Sequence, residues 1–216
     1  MSIKGKLTDV APKDSNTPTG DRRVRRTQTA LARALIQLVE ERDLSRISVS
    51  DVADRAEVSR SAFYDHYRDV HELAEAACTA MIDALIESLP VPAPDSADPV
   101  QDATHSLTAF FASLAEHAGL YRSLLGPQGS ARVTDHIRRR IAAAIHRARE
   151  ATADHLPERA PSGSPHDVSA AFTAGAMIGV ATDWLQRGCP HPPAEMAALT
   201  WPLLSALYGV EAGTRP

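Results

Sequence analysis

Residues 48–73, SVSDVADRAEVSRSAFYDHYRDVHEL, decide the fold of this chain, because three helix starts are predicted within these 26 residues. Ser48 and Asp51 have the spacing of a capping box, and so do Asp69 and Glu72. A capping box marks a helix start because its two side chains bind backbone N–H groups that have no partner inside the helix. The stretch therefore predicts short helices that follow one another closely.

A third helix start lies between these two. Ser59 can cap a short helix that runs from Arg60 to about Tyr67. The connection from the preceding helix, Glu57 to Ser59, is only about three residues long. Two helices joined so tightly must cross steeply, which is the geometry of a helix-turn-helix. The helix before the turn carries one apolar stripe, formed by Val49, Val52, Ala53 and Ala56.

The helix after the turn is unusually polar for a core element. Phe63 and Ala62 can face inward, whereas the other positions supply hydrogen-bond donors, acceptors and flat rings. These positions are Arg60, Ser61, Tyr64, Asp65, His66 and Tyr67. A recognition helix needs such side chains to meet base edges and phosphates in the major groove of DNA. The alternative is a surface helix with two tyrosines, but the caps, the spacing and the basic helix before it favour a recognition helix.

This stretch resembles the N-terminal DNA-binding domain of the TetR/AcrR family of bacterial transcription regulators. The matching residues are Val52-Ala53, Ala56, Val58-Ser59, Phe63-Tyr64, His66-Tyr67 and Glu72-Leu73. The resemblance implies an all-helical protein with a three-helix DNA-binding domain. It also implies a C-terminal helical domain that binds a ligand and forms a homodimer.

Two positions depart from the family pattern. Glu57 stands where the family usually has Gly, so the turn must close without the residue that accepts positive φ at no penalty. Val70 stands where the family usually has a lysine that contacts a phosphate, so the charge for that contact is missing.

Charge is distributed unevenly along the chain. The net charge of −4 argues against a uniformly basic coat for nucleic acid. Residues 1–70 carry 13 Lys and Arg against 11 Asp and Glu, a net of +2, which leaves −6 for the remainder. A localised positive end on an acidic body suits a protein that presents one end to DNA. Hydrophobic residues make up 44% of the chain and aromatic residues only 5%, which favours packed helices over a β-rich fold.

The sequence lacks the motifs of common enzyme and metal sites. It contains no His-Glu-x-x-His, Cys-x-x-Cys, Gly-x-Ser-x-Gly or phosphate-binding glycine loop. Cys189 and His191 come nearest to a metal pair, and Cys78 and Cys189 do not form a disulfide framework. We therefore expect no enzymatic activity, cofactor or metal. We identify no signal peptide and no apolar run of membrane-spanning length, so we expect a cytoplasmic protein that has no membrane partner.

The N-terminal end is predicted to be a disordered arm followed by a basic helix. Residues 1–20 have no apolar period and contain all three lysines of the protein. A helix from about Arg25 to Arg42 follows, with Leu31, Leu35, Leu38 and Val39 as its buried face. Arg25 and Arg26 at its start are candidates for phosphate contacts, and the alternative is a merely exposed basic end.

The rest of the chain is predicted as helices separated by breaks rich in proline and glycine. A long helix from Val70 to about Leu89 starts where the DNA would lie, which makes it a natural lever between two domains. Asp98-Pro99 opens a fifth helix, Gly119 to Leu125 form a short sixth, Ser130 opens a seventh, and an eighth ends near Arg187. The last runs from about Ala194 to Tyr208, and Pro202 should kink it.

The last two helices are too hydrophobic for the surface of a monomer. Gly175 and Gly179 would let another helix approach closely, and Leu199 and Leu203 add apolar surface. The resemblance implies that these helices form a four-helix interface with a second copy of the chain. It also implies that helices four to eight enclose a ligand pocket. The candidate ligand contacts are Phe111, Tyr121, Ile141, Met177 and Trp184, which suit a small apolar or amphipathic effector but are more often plain core residues.

These inferences combine into one prediction. The chain is an all-α, homodimeric transcription regulator, a repressor that binds a palindromic operator in double-stranded DNA and is released by its ligand. Residues 1–20 form the arm, 21–69 the helix-turn-helix domain, and 70–216 the ligand-binding and dimerisation domain. The alternatives are a small-molecule-binding helical dimer without specific DNA binding, which Glu57 and Val70 favour, and a ligand-independent architectural DNA binder.

The DNA-contacting side chains can be assigned individual roles. Arg60 is the first choice for base reading, because its guanidinium can pair with guanine in the major groove. Ser61 and Asp65 are secondary base contacts, and Asp65 can alternatively orient Arg60. Phosphate contacts are assigned to Tyr64, His66 and Ser48, and Ser59 joins the DNA-binding set at the start of the recognition helix.

Overall fold

Helices are the only regular elements in the parts of the chain that the structure describes. The computed structural model describes residues 18–89, 98–153 and 168–207. The first half contains α1 (Pro18–Glu41), a short 3₁₀ turn (Leu44–Arg46), α2 (Val49–Arg55), α3 (Arg60–Tyr64) and α4 (Val70–Ser88). The second half contains α5 (Pro99–Glu116), α6 (Ala118–Leu125), α7 (Ala131–Ala153), α8 (Val168–Gln186) and α9 (Pro193–Leu207). The all-α prediction is confirmed.

Two predicted helix boundaries are wrong. α1 begins at Pro18, not at about Arg25. Proline is favourable in the first turn of a helix, because its missing N–H would have no partner there. Residues 1–17 of the predicted arm lie outside the described residues. α3 ends at Tyr64, not at about Tyr67, so His66 and Tyr67 belong to the turn before α4.

The N-terminal helices share a core around α1. Leu31 and Leu35 on α1, Val52 on α2 and Phe63 on α3 are fully buried. Leu38 and Val39 are buried as well, which confirms the predicted inner face of α1. The short helices α2 and α3 are therefore held in place by the core that they share with α1.

Val70 belongs to this core and does not face the solvent. It is the first residue of α4, and only 8% of its surface is exposed. The valine thus stabilises the junction of α4 with the N-terminal helices, where the resemblance would place a charged side chain. The Asp69 carboxylate caps α4 by accepting the Glu72 N–H at 2.8 Å.

α2 ends in a Schellman motif that contains no glycine. The Val58 N–H donates to the Ala53 carbonyl at 3.0 Å, and the Glu57 N–H donates to the Asp54 carbonyl at 3.2 Å. This pair of bonds requires a left-handed residue between them, and Glu57 has a φ of 55°. The departure from glycine at this position therefore leaves the turn closed in the usual way, at the expense of an unfavourable backbone conformation.

α8 ends in the same motif, built with the usual residue. The Cys189 N–H donates to the Trp184 carbonyl and the Gly188 N–H to the Leu185 carbonyl, each at 3.0 Å. Gly188 occupies the left-handed position, with a φ of 79°. The next residue, Cys189, is left-handed as well, with a φ of 57°, so the end of α8 has two such residues and the end of α2 has one.

α4 is fastened to α7 by ionic contacts. The Asp83 carboxylate lies 2.7 Å from Arg140 Nε and 2.9 Å from His136 Nε2, and Arg140 also reaches Glu87 at 3.3 Å. About two turns nearer to the N-terminal helices, the Ser130 hydroxyl donates to the Glu75 carboxylate. These contacts fix α4, which begins beside α3, onto the C-terminal helices.

α6 connects the N-terminal helices with α8. A Cβ atom on Gly119 would lie 2.7 Å from the Val39 carbonyl oxygen, so the backbones of α6 and α1 are in direct contact there. On the other side, Arg122 Nε donates to the Leu185 carbonyl at 3.1 Å, and the Gln186 side chain donates to the Arg122 carbonyl at 3.0 Å.

α8 corrects one expectation from the sequence. Its 19 residues have a best-window mean hydropathy of 1.3, so by length and composition this described helix does qualify as a membrane span. It is rich in Ala and Gly and has few charges, which raises the mean without long apolar side chains. Its buried residues, which include Met177, Trp184 and Leu185, pack in the common core.

The Glu57 backbone predicts a stabilising substitution. Glu57→Gly should raise the free energy of unfolding by about 1 kcal/mol, because glycine adopts positive φ without the clash of a Cβ atom. Glu57→Asn should give a smaller gain, since Asn tolerates this conformation better than Glu. Urea unfolding followed by circular dichroism measures the difference.

The matched control lies at the end of α8. Gly188→Ala places a Cβ atom in the same motif and should lower the free energy of unfolding by a similar amount. An unchanged or lower stability of Glu57→Gly would show that Glu57 is not strained in solution.

Candidate functional site

α3 presents a polar surface on a buried anchor. The Ser59 hydroxyl oxygen caps the helix by accepting the Ala62 N–H at 3.1 Å. Phe63 is completely buried, whereas Arg60, Ser61 and Asp65 are exposed and Tyr64 is 60% exposed. This division of inner and outer side chains is the one that the sequence predicted.

Aromatic contacts fix the directions of the side chains around Phe63. Its ring packs edge-on against Tyr64, with centroids 5.7 Å apart, and lies 6.0 Å from the Tyr67 ring. His66 is half-buried and lies 6.4 Å from Tyr67. Burial, and secondarily the charge of Glu72, raises the pKa of Tyr67, so this phenol stays protonated. The predicted phosphate contacts Tyr64 and His66 are thus held next to one rigid ring cluster.

The Ser48 side chain is engaged in capping α2. Its hydroxyl oxygen accepts the Asp51 N–H at 3.2 Å, and its proton is donated to the Asp51 carboxylate at 2.7 Å. The Ser48 N–H donates to the same carboxylate at 2.8 Å, which completes the predicted capping box. The Ser48 hydroxyl bond, the Ser48 N–H bond and nearby Arg42 lower the pKa of Asp51. Because the Ser48 hydroxyl and the Ser48 N–H both bind Asp51, the phosphate contact stays a prediction for the backbone N–H groups that follow Ser48 at the start of α2.

Arg60 is exposed and unconstrained within the described part of the chain. No hydrogen bond or ion pair joins its guanidinium to Asp65 there, so no observed contact supports the suggestion that Asp65 orients Arg60. Arg25 and Arg26 are exposed in the first half of α1. Their phosphate contacts, like the base contacts of Arg60 and Ser61, stay predictions.

Arg68 is a candidate that the sequence reasoning missed. It is 80% exposed in the turn between α3 and α4, and its Nε lies 3.1 Å from a Glu72 carboxylate oxygen. That oxygen also accepts the Arg68 N–H at 2.7 Å, so Glu72 reaches back to Arg68, not to Asp69 as a standard capping box requires. The available signal was an Arg followed by a Glu four residues later, which is the spacing of a helical ion pair.

The predicted ligand contacts form a continuous apolar core. Phe111 and Tyr121 are completely buried, and Ile141, Met177 and Trp184 are at most 9% exposed. The Phe111 and Trp184 rings meet edge-on, with centroids 5.4 Å apart, and Trp184 Nε1 donates to the His191 carbonyl at 3.0 Å. The structure brings Phe111 and Trp184 together, and it places all five residues in the core rather than at an open surface.

The Tyr121 hydroxyl is the polar exception in this core. Within the described residues it has no hydrogen-bond partner, since nearby Ser113 lacks the required geometry. Burial is the main cause that raises its pKa. A hydrogen-bonding group of a ligand or a water molecule would satisfy this hydroxyl.

An open cleft of about 520 Å³ lies between the end of α1 and α6, away from these five residues. Charged and polar side chains line it, among them Arg42, Arg46 and Arg122 and the acids Glu40, Glu41 and Asp43. This surface does not suit the apolar ligand that the sequence predicts.

The predicted dimer residues are exposed on α8 and α9. Gly175 and Gly179 are exposed, and a Cβ atom on either would meet no atom of the described residues within 4 Å. Leu199 is 55% and Leu203 67% exposed on α9, and Phe172 on α8 is 60% exposed. Among the described residues, the two glycines therefore take part in no close helix packing, and the apolar side chains near them on α8 and those on α9 are exposed.

The cysteines offer no reactive or metal-binding group of the usual kind. Cys78 is buried, which raises the pKa of its thiol to about 12, and burial also raises the pKa of Cys189. Across residues 18–89, 98–153 and 168–207, no three His, Cys, Asp or Glu side chains cluster as a metal site would require.

Family models match both the N-terminal and the C-terminal part of the chain. Residues 31–77 match the model of bacterial regulatory proteins of the tetR family, and residues 101–205 match a transcriptional regulator C-terminal region. A relative from Bacillus subtilis, the uncharacterized HTH-type transcriptional regulator YxbF, is 39% identical over 70 residues. That match spans 30% of this chain and only 18% of the length of the relative.

Solved structures match over most of the chain. A tetR-family transcriptional regulator from Streptomyces coelicolor superimposes with a TM-score of 0.66 at 20% identity, covering 87% of this chain and 82% of the other. DhaS, an activator of a dihydroxyacetone kinase operon, gives a TM-score of 0.62 at 16% identity, covering 85% and 97%. With two family models that together span well over half of its residues, the chain belongs to the TetR family of DNA-binding transcriptional regulators.

Proposed function

We propose that the protein is a homodimeric repressor whose two α3 helices read the half-sites of a palindromic operator. The observation that carries the proposal is the exposed polar surface of α3, anchored by the buried Phe63. A recognition helix must hold such a surface rigidly while it enters the major groove. The two-fold symmetry of a dimer would match a palindrome with half-sites about one helical turn apart.

The division of labour along the chain is part of this proposal. Residues 21–69 would form the DNA-binding domain and residues 70–216 the ligand-binding and dimerisation domain. α4 supports this division because it starts beside α3 and is fastened to α7 by Asp83 and Glu87. We place the protein in the cytoplasm, where its DNA would be.

The exposed apolar residues of α8 and α9 support the dimer. Phe172 on α8 and Leu199 and Leu203 on α9 are exposed, and Gly175 and Gly179 leave open space on α8. Apolar side chains at such exposure are stabilised by burial against a second copy of the same face.

The apolar core around Phe111 and Trp184 supports a small effector of apolar or amphipathic character. A ligand that binds one arrangement of these helices more tightly than another shifts the population of the DNA-binding state. That the protein represses transcription is also part of the proposal, since DhaS, which shares the fold, is by name an activator. A gel-shift assay with the DNA upstream of the protein's own gene, with and without candidate ligands, tests the whole proposal.

The same assay separates the two alternatives. A dimer without selectivity for its upstream DNA would be a small-molecule-binding protein only. Selective or unselective DNA binding that no ligand changes would identify an architectural DNA binder. Release of selectively bound DNA by a ligand is the outcome that supports a repressor.

Base reading by Arg60 predicts a loss of selectivity. Arg60→Ala should weaken operator binding by about 1–3 kcal/mol per half-site and relax the preference at one base pair. Arg60→Lys keeps the positive charge but lacks the fork that pairs with guanine, so it should lose selectivity too. Fluorescence anisotropy on operator and random DNA measures both effects. Equal weakening on the two DNAs would assign Arg60 to the phosphates.

The glycine surface of α8 predicts a dimerisation defect. Gly179→Leu should hold the second copy away from α8, because the added side chain occupies the open space that a partner helix requires. Sedimentation velocity should detect monomer or aggregate, and operator binding should fall in parallel. Ala143→Leu, at an exposed position of α7, is the control and should stay dimeric. A fully dimeric Gly179→Leu with normal DNA affinity would exclude close packing at this face.

The Phe111–Trp184 contact predicts a fluorescence response to the ligand. In a Trp201→Phe background, Trp184 is the remaining tryptophan, and its emission reports on the core. Any compound that releases the operator in the gel-shift assay should change that emission over the same concentration range. A compound that releases DNA without affecting Trp184 would place the pocket elsewhere.

A further inference from the structure

We propose that Arg68 is a phosphate-binding residue and that Glu72 is its positioning residue. The inference rests on the proposed DNA-binding function and adds a contact between α3 and α4 that the sequence reasoning did not include. Arg68 would bind the DNA backbone beside the half-site that α3 reads.

The tether between the two residues fixes one side of the guanidinium. A single Glu72 carboxylate oxygen accepts both the Arg68 N–H at 2.7 Å and Arg68 Nε–H at 3.1 Å. The arginine side chain is thereby folded back on its own backbone, in one of its many rotamers. Because ordering a long side chain on binding has an entropic cost, a tethered arginine binds more favourably than a free one.

The other side of the guanidinium remains available. Arg68 is bound through Nε, and its two terminal nitrogens have no hydrogen-bond partner within the described residues. Arg42 and Arg55 of the same region differ, because each uses a terminal nitrogen to pair with an acid, Asp51 at 3.2 Å and Glu41 at 2.9 Å. Of these three arginines, Arg68 alone keeps the outer edge that pairs with two phosphate oxygens.

The position of Arg68 suits a backbone contact. It lies four residues after the exposed Tyr64 and two before the first residue of α4. The N-terminus of this 19-residue helix adds a partial positive charge to the same place. Val70 is buried, and His71 is directed to Glu75 at 3.7 Å, so Arg68 is the cationic group at this helix start whose terminal nitrogens remain unpaired among the described residues.

The charge of Arg68 is tested by the salt dependence of DNA binding. Each phosphate that is neutralised contributes about −0.9 to the slope of log affinity against log salt. Arg68→Ala should therefore make the slope shallower by about 1 per half-site, or about 2 for the dimer. Because phosphates carry no base information, operator and random DNA should lose affinity by a similar factor.

Arg139→Ala is the matched control for this experiment. Arg139 is 65% exposed on α7 and is bound in the same manner, with Nε 3.1 Å from the Asp135 carboxylate four residues away. It lies in the C-terminal part of the chain, so its loss should leave the slope unchanged. Equal slope changes in the two variants, or none in Arg68→Ala, would overturn the assignment of Arg68.

Glu72 is tested with two variants that both lack its negative charge. Glu72→Gln keeps an oxygen that accepts from Arg68, whereas Glu72→Ala does not. If Glu72 positions Arg68, Glu72→Gln should bind DNA about 2- to 10-fold more tightly than Glu72→Ala. In an Arg68→Ala background this difference should vanish. A difference that persists there would assign Glu72 to the stability of α4, which thermal unfolding of each variant reports separately.

The outcomes distinguish this inference from the proposed function. A wild-type protein that binds operator and random DNA equally, with a slope that Arg68→Ala reduces, retains the inference and overturns the repressor. A selective wild-type protein whose slope is insensitive to Arg68→Ala retains the repressor and overturns the inference. A folded dimer that binds no DNA overturns both.

Discussion

The whole DNA-facing surface depends on the burial of one side chain, Phe63. α3 has five residues, far fewer than a helix needs to be stable alone in water. It forms because Phe63 is fully enclosed and because Ser59 satisfies an N–H at the helix start. Every exposed side chain of α3 takes its position from that anchor. Removing the ring would leave a large cavity and would cost the recognition surface as well as stability.

Around this anchor, the arginines of the N-terminal region are in two different states. Arg42 and Arg55 are paired with acids of neighbouring helices and hold those helices together. Arg60 and the outer edge of Arg68 are not paired within the described residues and remain available to an anion. A net charge of −4 therefore does not conflict with binding to DNA, because the distribution of free guanidinium groups matters more than their number.

The features that the sequence predicted are those encoded over three or four residues. The caps at Ser48 and Ser59 and the apolar spacing of Leu31, Leu35 and Leu38 depend on local geometry, and the structure has all of them. The features that the sequence did not predict depend on contacts that local spacing does not determine. The burial of Val70 depends on packing against other helices, and the direction of the Glu72 carboxylate depends on a choice between two neighbouring N–H groups. The roles of single side chains toward DNA or ligand depend on a partner, so they stay predictions.

The contact between Gly119 and the Val39 carbonyl has a mechanical consequence. Side chains between two helices can change rotamer and absorb a small displacement, but two touching backbones cannot. α6 is therefore a rigid connection between α1 and the end of α8. Hydrogen bonds of Arg122 and Gln186 join α6 to α8. A movement of α8 toward α6 would therefore reach α1 three residues before Arg42, whose partner Asp51 lies in the first turn of α2. Between the apolar core and the recognition helices, the backbones of α6 and α1 thus touch directly. Only glycine fits at position 119, because any Cβ atom there would clash with the Val39 carbonyl.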